Sequence, residues 1–266
     1  MNGFDWSQFL AVSAASLLVL AVLHTLTFLV GRRIGRYNVV DVAWGLGFVL
    51  VAMVAAALGE GDGLRRWLFV VLVGIWGLRL SWHMHVKSAG KGEDPRYAEL
   101  LERAGGTSAR VVIRKIFLTQ GLSQWFVSLP LQVSAVLGPA SGVGAVTVVA
   151  GVVVAAAGVA FEAVGDHQLR TFKDDPSNKG RIMDVGLWAW SRHPNYFGDA
   201  CVWWGLWLIA ASVWPGALTV LSPVAMTYFL VYATGARLLE KSMSQRPGYA
   251  EYQQRTGYFV PRPPKR

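Results

Sequence analysis

One cysteine, Cys201, stands alone in 266 residues. No disulfide can form within the chain, and a zinc site built on thiolates is excluded with it. Charge is scarce too. Asp, Glu, Lys and Arg make up 15% of the chain, against roughly 25% in a soluble domain. Acids are the scarcer sign, 16 against 25 Lys and Arg, which leaves a formal net charge of +9. The five histidines include one close pair, His83 and His85, which a helix would splay apart, so no metal site is expected. A Gly-rich dinucleotide fingerprint is missing, so a Rossmann domain is not implied. No internal repeat is evident. The first apolar run carries Asp5, lacks a basic leader and is too long for a signal peptide, so a retained membrane helix is expected there.

Apolar residues dominate: 53% hydrophobic, with a mean hydropathy of +0.39. That composition excludes disorder and points to a polytopic membrane protein. Uncharged runs cover 6–31, 42–59, 67–78 (extending past Arg79), 116–161 and 200–236. A crossing needs about 20 residues, so the last two runs are read as helical hairpins. They break at 138–142 and 214–216, where Pro and Gly interrupt. The expected fold is all-α with seven transmembrane helices, forming one membrane domain over 1–266. The segments 31–38, 87–115, 162–199 and 237–266 hold 22 of the 25 cations. They fall on one side, which the positive-inside rule makes cytoplasmic, with the N-terminus outside and the C-terminus inside. Arg65 and Arg66 are left on the other side.

The outer connections are too short to build a site, so chemistry is expected on the cytoplasmic side. Glu162, Asp166, Arg170 and Lys173 recur every three or four residues and form one helical face. The same spacing also suits a solvated salt-bridge ladder. In Ser191-Arg192-His193-Pro194-Asn195-Tyr196, Pro194 starts a fresh helix, with Asn195 and Asp199 on its first turns. A basic pair at a helix start suits a phosphate. Trp188, Trp190, Arg192 and Tyr196 equally suit an interface anchor. The tail interleaves Tyr249, Tyr252 and Tyr258 with Arg246 and Arg255, which could stack on a flat heterocycle. It lies against the membrane, so nucleic acid is not expected as a partner. Asp41 opens a membrane helix, as either a cap or a cavity residue.

Three motifs and the tail resemble the membrane reductases related to steroid 5-alpha-reductase, in particular their bacterial relatives. They are Asp41-Val42-Ala43-Trp44-Gly45, Gly92-Glu93-Asp94-Pro95-Arg96-Tyr97 and Ser191 to Asp199. The resemblance covers nearly the whole chain. It implies seven transmembrane helices, residence in the bacterial plasma membrane, and NADPH bound from the cytoplasm by 162–199 and 237–266. It further implies that Asp166 and Arg170 contact the cofactor, that Asn195 and Asp199 hold its nicotinamide half, and that Tyr252 joins from the tail. Lys173, Arg192, His193 and Arg255 are candidate phosphate partners by charge and place. Glu162 stands where the reductases have an asparagine. The glutamate and tyrosine that polarise the reductases' enone have no clear counterpart, so Asp41, His83 and Tyr97 are the catalytic candidates. The implied activity is NADPH-dependent reduction of an activated double bond in a hydrophobic, lipid or steroid-like substrate drawn from the bilayer. The Arg-His-Pro motif and the tail also resemble isoprenylcysteine-type and phospholipid membrane methyltransferases, which use S-adenosylmethionine. A lipid-binding scaffold is a third reading, and it leaves Asp166, Asn195 and Asp199 unexplained.

Overall fold

A computed structural model describes residues 4–264. Among the described residues the structure is helical, apart from one isolated parallel bridge between Ser191 and Gly257. Five helices are long and apolar enough to cross a membrane. They are α1 (Trp6–Ile34), α2 (Val40–Leu58), α3 (Gly63–Ser88), Val143–Asp174 and Gly216–Met243. The chain is thus an all-helical integral membrane protein. Two more helical stretches, 109–134 and Pro194–Ala211, fall short of that test. The first begins with Arg110, Arg114 and Lys115 and contains a π-turn at Ile113–Phe117. The second opens on Pro194, Asn195 and Asp199. Length and apolarity therefore support five crossings where the uncharged runs predicted seven. Both expected hairpin breaks are present, at 135–142 and 212–215.

The long basic connection at 87–115 is mostly helical. α3 runs on to Ser88, α4 (Pro95–Arg103) comes next, and helix resumes at Ala109. Asp94 starts α4 as its N-cap, accepting from the Arg96 amide at 2.9 Å, with Pro95 in the first turn.

The described chain divides into two compact units. One holds the chain up to Ala145 together with Ala210–Thr219, and the other holds Val146–Ile209 with Val220–Arg266.

In the first unit α2 and α3 approach through Gly45 and Gly77. A Cβ on Gly45 would lie 2.1 Å from the Gly77 carbonyl oxygen, so only glycine fits. α2 has no side-chain cap of its own. Glu93 reaches across instead and accepts from the Tyr37 amide at 2.5 Å and the Asn38 amide at 2.9 Å. Arg36 donates to the Ser88 and Lys91 carbonyls at 2.6 and 3.0 Å, tying the same two connections together. An acid at a helix N-terminus meets the positive end of the dipole. Arg65 and Arg66 hold carbonyls instead. Arg65 is 2% exposed and donates to the Leu137 and Gly138 carbonyls at 2.7 and 2.8 Å. Arg66 donates to Ala56 at 2.6 Å and to Gly59. Arg66 thus meets carbonyls at the C-terminal end of α2, and Arg65 holds the turn that follows the helix ending at Ser134, where the Leu137 carbonyl also accepts from the Asp62 amide at 2.8 Å.

In the second unit Val143–Asp174 and Pro194–Ala211 cross through small residues. Cβ atoms on Gly151 and Gly158 would lie 2.6 Å from the Gly205 and Gly198 carbonyl oxygens. Without a hydrophobic drive between helices in lipid, such close backbone contact supplies the attraction. The tail returns to the Pro194 turn. Arg192 N–H donates to Gly257 at 2.9 Å, Arg262 N–H to Trp190 at 3.0 Å, and Ser191 Oγ to Phe259 at 2.8 Å.

Candidate active site

The first unit brings Asp41 and Tyr97 together. Tyr97 sits near the start of α4, its ring buried among Phe28, Val40, Leu101, Val112, Ile116 and Phe117. Its hydroxyl donates to Asp41 Oδ1 at 2.5 Å. Arg96 comes within 3.7 Å of Asp41 Oδ2 and forks onto Asp94, with Nε and Nη2 at 3.1 and 3.0 Å from its two oxygens. Burial, then the charge and hydrogen bond of Asp41, push the Tyr97 hydroxyl well above the ordinary phenol range. Burial pushes the Asp94 carboxyl up, but the hydrogen bonds and charge of Arg96 outweigh it and hold it below its usual value.

Beside this pair lies a cavity of about 260 Å³, lined in part by Asn38, Asp41, Lys87, Lys91, Glu93 and Arg96. Met84 also lines it, whereas His83, half-buried on α3, is not among the lining residues. Of the three catalytic candidates, Asp41 and Tyr97 meet through this hydrogen bond, and Asp41 is the one that lines the cavity.

The second unit holds the other predicted residues. Glu162, Asp166 and Asp199 are buried where the two helices cross, 3, 8 and 6% exposed. Asn195 Nδ2 donates to Asp166 Oδ1 at 3.1 Å, joining two of the expected cofactor residues. Arg170 and Lys173, one and two turns further along the same helix, are exposed. The polar face of Val143–Asp174 thus splits into a buried acidic end and an exposed basic end.

Arg192 and His193 are turned toward Glu240. Its Oε1 accepts from Arg192 Nε at 2.9 Å, His193 Nε2 at 3.0 Å and the Tyr249 hydroxyl at 2.7 Å. Its Oε2 accepts from Gln253 Nε2 at 2.6 Å. Arg192 Nη1 also donates to the Gln253 and Thr256 carbonyls, both at 3.0 Å, and its guanidinium lies 5.2 Å from the centre of the Tyr258 ring. Tyr252 donates to the Trp188 carbonyl at 2.6 Å, and Arg255 pairs with Asp184. Burial first, then the hydrogen bond and charge of Glu240, raise the Tyr249 hydroxyl above its ordinary range. Burial is the main cause for Tyr252 and Tyr258 as well.

Glu240 and Glu93 are site residues that sequence reasoning misses. Glu240 is the first acid after the long uncharged run 200–236, a position where an ionisable group at the end of a membrane helix marks an interaction. Glu93 lies within the Gly92–Tyr97 motif, but a partner more than fifty residues away is invisible in local spacing.

A family model described as "Protein of unknown function (DUF1295)" matches residues 27–256. An uncharacterised protein of Schizosaccharomyces pombe (strain 972 / ATCC 24843) is 33% identical over 93 residues, 34% of this chain. The match spans 27% of the yeast protein's length. No solved structure matches the chain.

Proposed function

Because the chain belongs to the DUF1295 family, whose model covers most of its length, we propose that it is a membrane enzyme, an NADPH-dependent reductase saturating an activated double bond in a hydrophobic, lipid or steroid-like substrate. The observation that carries this reading is the Tyr97–Asp41 hydrogen bond beside a cavity. A phenol backed by a carboxylate is the group such a reduction needs at the carbonyl conjugated to the double bond. The resemblance by itself leaves that pair without a counterpart. The likeness of Asp41–Gly45, Gly92–Tyr97 and Ser191–Asp199 to steroid 5-alpha-reductase-related enzymes supports the same chemistry.

The topology that goes with it has seven crossings, adding 109–134 and Pro194–Ala211 to the five apolar helices, with the N-terminus outside and the C-terminus cytoplasmic. The membrane is read as the bacterial plasma membrane. Reporter fusions after Gly61 and after Gly92 should report opposite sides, and one side for both would break this topology.

The cofactor's residues are those of the second unit. Asn195, with Asp166 and Asp199, offers amide and carboxylate partners to a carboxamide. Exposed Arg170 and Lys173 offer cations to phosphates, so the donor set fits a phosphate-bearing dinucleotide. When bound, NADPH supplies a hydride. Tyr97 keeps its proton at neutral pH and presents it to a carbonyl oxygen that replaces Asp41 Oδ1 as acceptor. Until that exchange Asp41 orients the phenol, and Arg96 offsets the charge of the carboxylate it leaves behind.

One observation favours a second reading. The charged residues buried at the helix crossing are Glu162, Asp166 and Asp199, while Arg170 and Lys173 are exposed. Buried acids suit a cationic cofactor such as S-adenosylmethionine, and a methyltransferase of the isoprenylcysteine or phospholipid type would use it. Binding of NADPH and of S-adenosylmethionine to the purified chain in detergent separates the two readings. Saturable binding of the methyl donor alone would sink the reductase.

A further inference from the structure

Glu240, in the second unit, takes no part in the chemistry proposed for Asp41 and Tyr97. Four donors from two separate segments converge on it: Arg192 and His193 from the turn before Pro194–Ala211, and Tyr249 and Gln253 from Tyr249–Arg255. To donate to a carboxylate, His193 must carry its proton on Nε2. Its ring stacks on Tyr196 at 5.9 Å and meets Tyr258 edge-on at 5.5 Å, so the tail also encloses the histidine.

Glu240 stands on Ala236–Met243, which is entered through a π-turn at Phe229–Ala233 and then Gly235. A Cβ on Gly235 would lie 2.0 Å from the Leu230 carbonyl oxygen, so the chain can turn there only with glycine. π-turns inside helices recur at functional sites and interrupt the regular ladder. The tail enters through an irregular joint at one end and is fastened at the other by the Glu240 bonds together with the Tyr252–Trp188 and Ser191–Phe259 bonds and two backbone bonds.

We propose that Glu240 is a positioning residue that latches the tail, 249–262, onto the Arg192–His193 turn, and that the cofactor is admitted and retained as its bonds open and re-form together with the weaker contacts the tail makes to 188–192. The inference rests on the reading that 162–199 and 237–266 bind the cofactor. One acceptor can govern the joint because four donors from both segments reach the same carboxylate. Losing its charge weakens charge-assisted bonds to Arg192 together with those to the tail. Arg192 transmits the change, since it also holds the Gln253 and Thr256 carbonyls.

Hydrogen exchange of the purified full chain in detergent tests this. Glu240→Gln keeps the size and removes the charge. Exchange at 188–193 and 249–257 should rise by about tenfold, while α1 and α2 keep their protection. In the parent, NADPH should slow exchange at the same tail amides. Tail exchange in Glu240→Gln equal to the parent's overturns the latch. If that variant loses protection everywhere, Tyr249→Phe and Gln253→Leu each remove one donor and should loosen the tail alone; an unaltered tail in both overturns the proposal. A loosened tail in a parent–variant pair that binds no NADPH supports the latch and removes NADPH as its occupant, so the two failures are told apart.

Discussion

Each unit contains a carboxylate that accepts from a tyrosine hydroxyl and lies near an arginine, yet the two clusters differ in how full they are. Asp41 takes one hydrogen bond from Tyr97, has Arg96 at 3.7 Å, and lines a cavity. Glu240 takes four hydrogen bonds and draws two segments together. A carboxylate with that many donors is committed to holding the chain. One with a single donor beside open volume can give that donor up to an incoming acceptor. The same residue types therefore serve architecture in one unit and offer chemistry in the other, and the neighbours decide which.

The largest expected effect breaks the filled cluster. Glu240→Ala removes one partner of a mostly buried ion pair and should cost about 3–5 kcal/mol, read from thermal unfolding in detergent. A cost below about 1 kcal/mol would place Glu240 with ordinary surface pairs and erase the contrast. Tyr97→Phe should do the reverse in the first unit. It should lower reductase activity by about 10²- to 10⁴-fold while moving stability by only about 1 kcal/mol. Equal losses of both would make Tyr97 a structural residue like Tyr249.

Arg65→Ala gauges a cation that has neither role. It removes the buried guanidinium's bonds to the Leu137 and Gly138 carbonyls and should cost about 1–3 kcal/mol. Arg65→Lys should recover part of that, and no loss in either variant would show that these bonds do not hold the turn.

The smallest effects are in pH. Asp94 has a lowered folded-state value, so its contribution is present above about pH 3.9 and fades as pH falls through the folded value. Asp94→Asn should flatten that acid edge. Tyr97, Tyr249 and Tyr252 have raised values, so their contributions are complete below about pH 10 and fade as pH climbs through the folded values. Phenolate absorbance should rise no less near pH 11 in Tyr97→Phe than in the parent, since that hydroxyl is still protonated there.

Much of the scaffold is legible along the chain. Uncharged apolar runs mark the helices, and Gly-Pro clusters mark where two of them stop, because a membrane helix must satisfy its amides within itself. Pro194 announces a helix start for a local reason, since its ring disfavours helix at His193 and suits a helix's first turn. Gly151 and Gly158 are readable as a packing face, and both touch Pro194–Ala211. The face Glu162, Asp166, Arg170 and Lys173 is readable as helical. Its division into buried acids and exposed cations is not, because spacing sets direction and the neighbouring helix sets depth.

Composition and periodicity by themselves determined that this is an all-helical membrane protein with its cations massed in a few connections. Hydropathy and charge are sums over local residues, and a bilayer reads them as sums. Only the tertiary structure decided that Tyr97 meets Asp41, that Glu93 holds the turn before a helix more than fifty residues away, that Arg65 and Arg66 hold backbone carbonyls of neighbouring connections, and that Arg192 and His193 spend donors on Glu240. Most of these are short-range bonds between groups far apart in the chain. Their strength depends on ångströms and burial, and neither quantity is written in spacing.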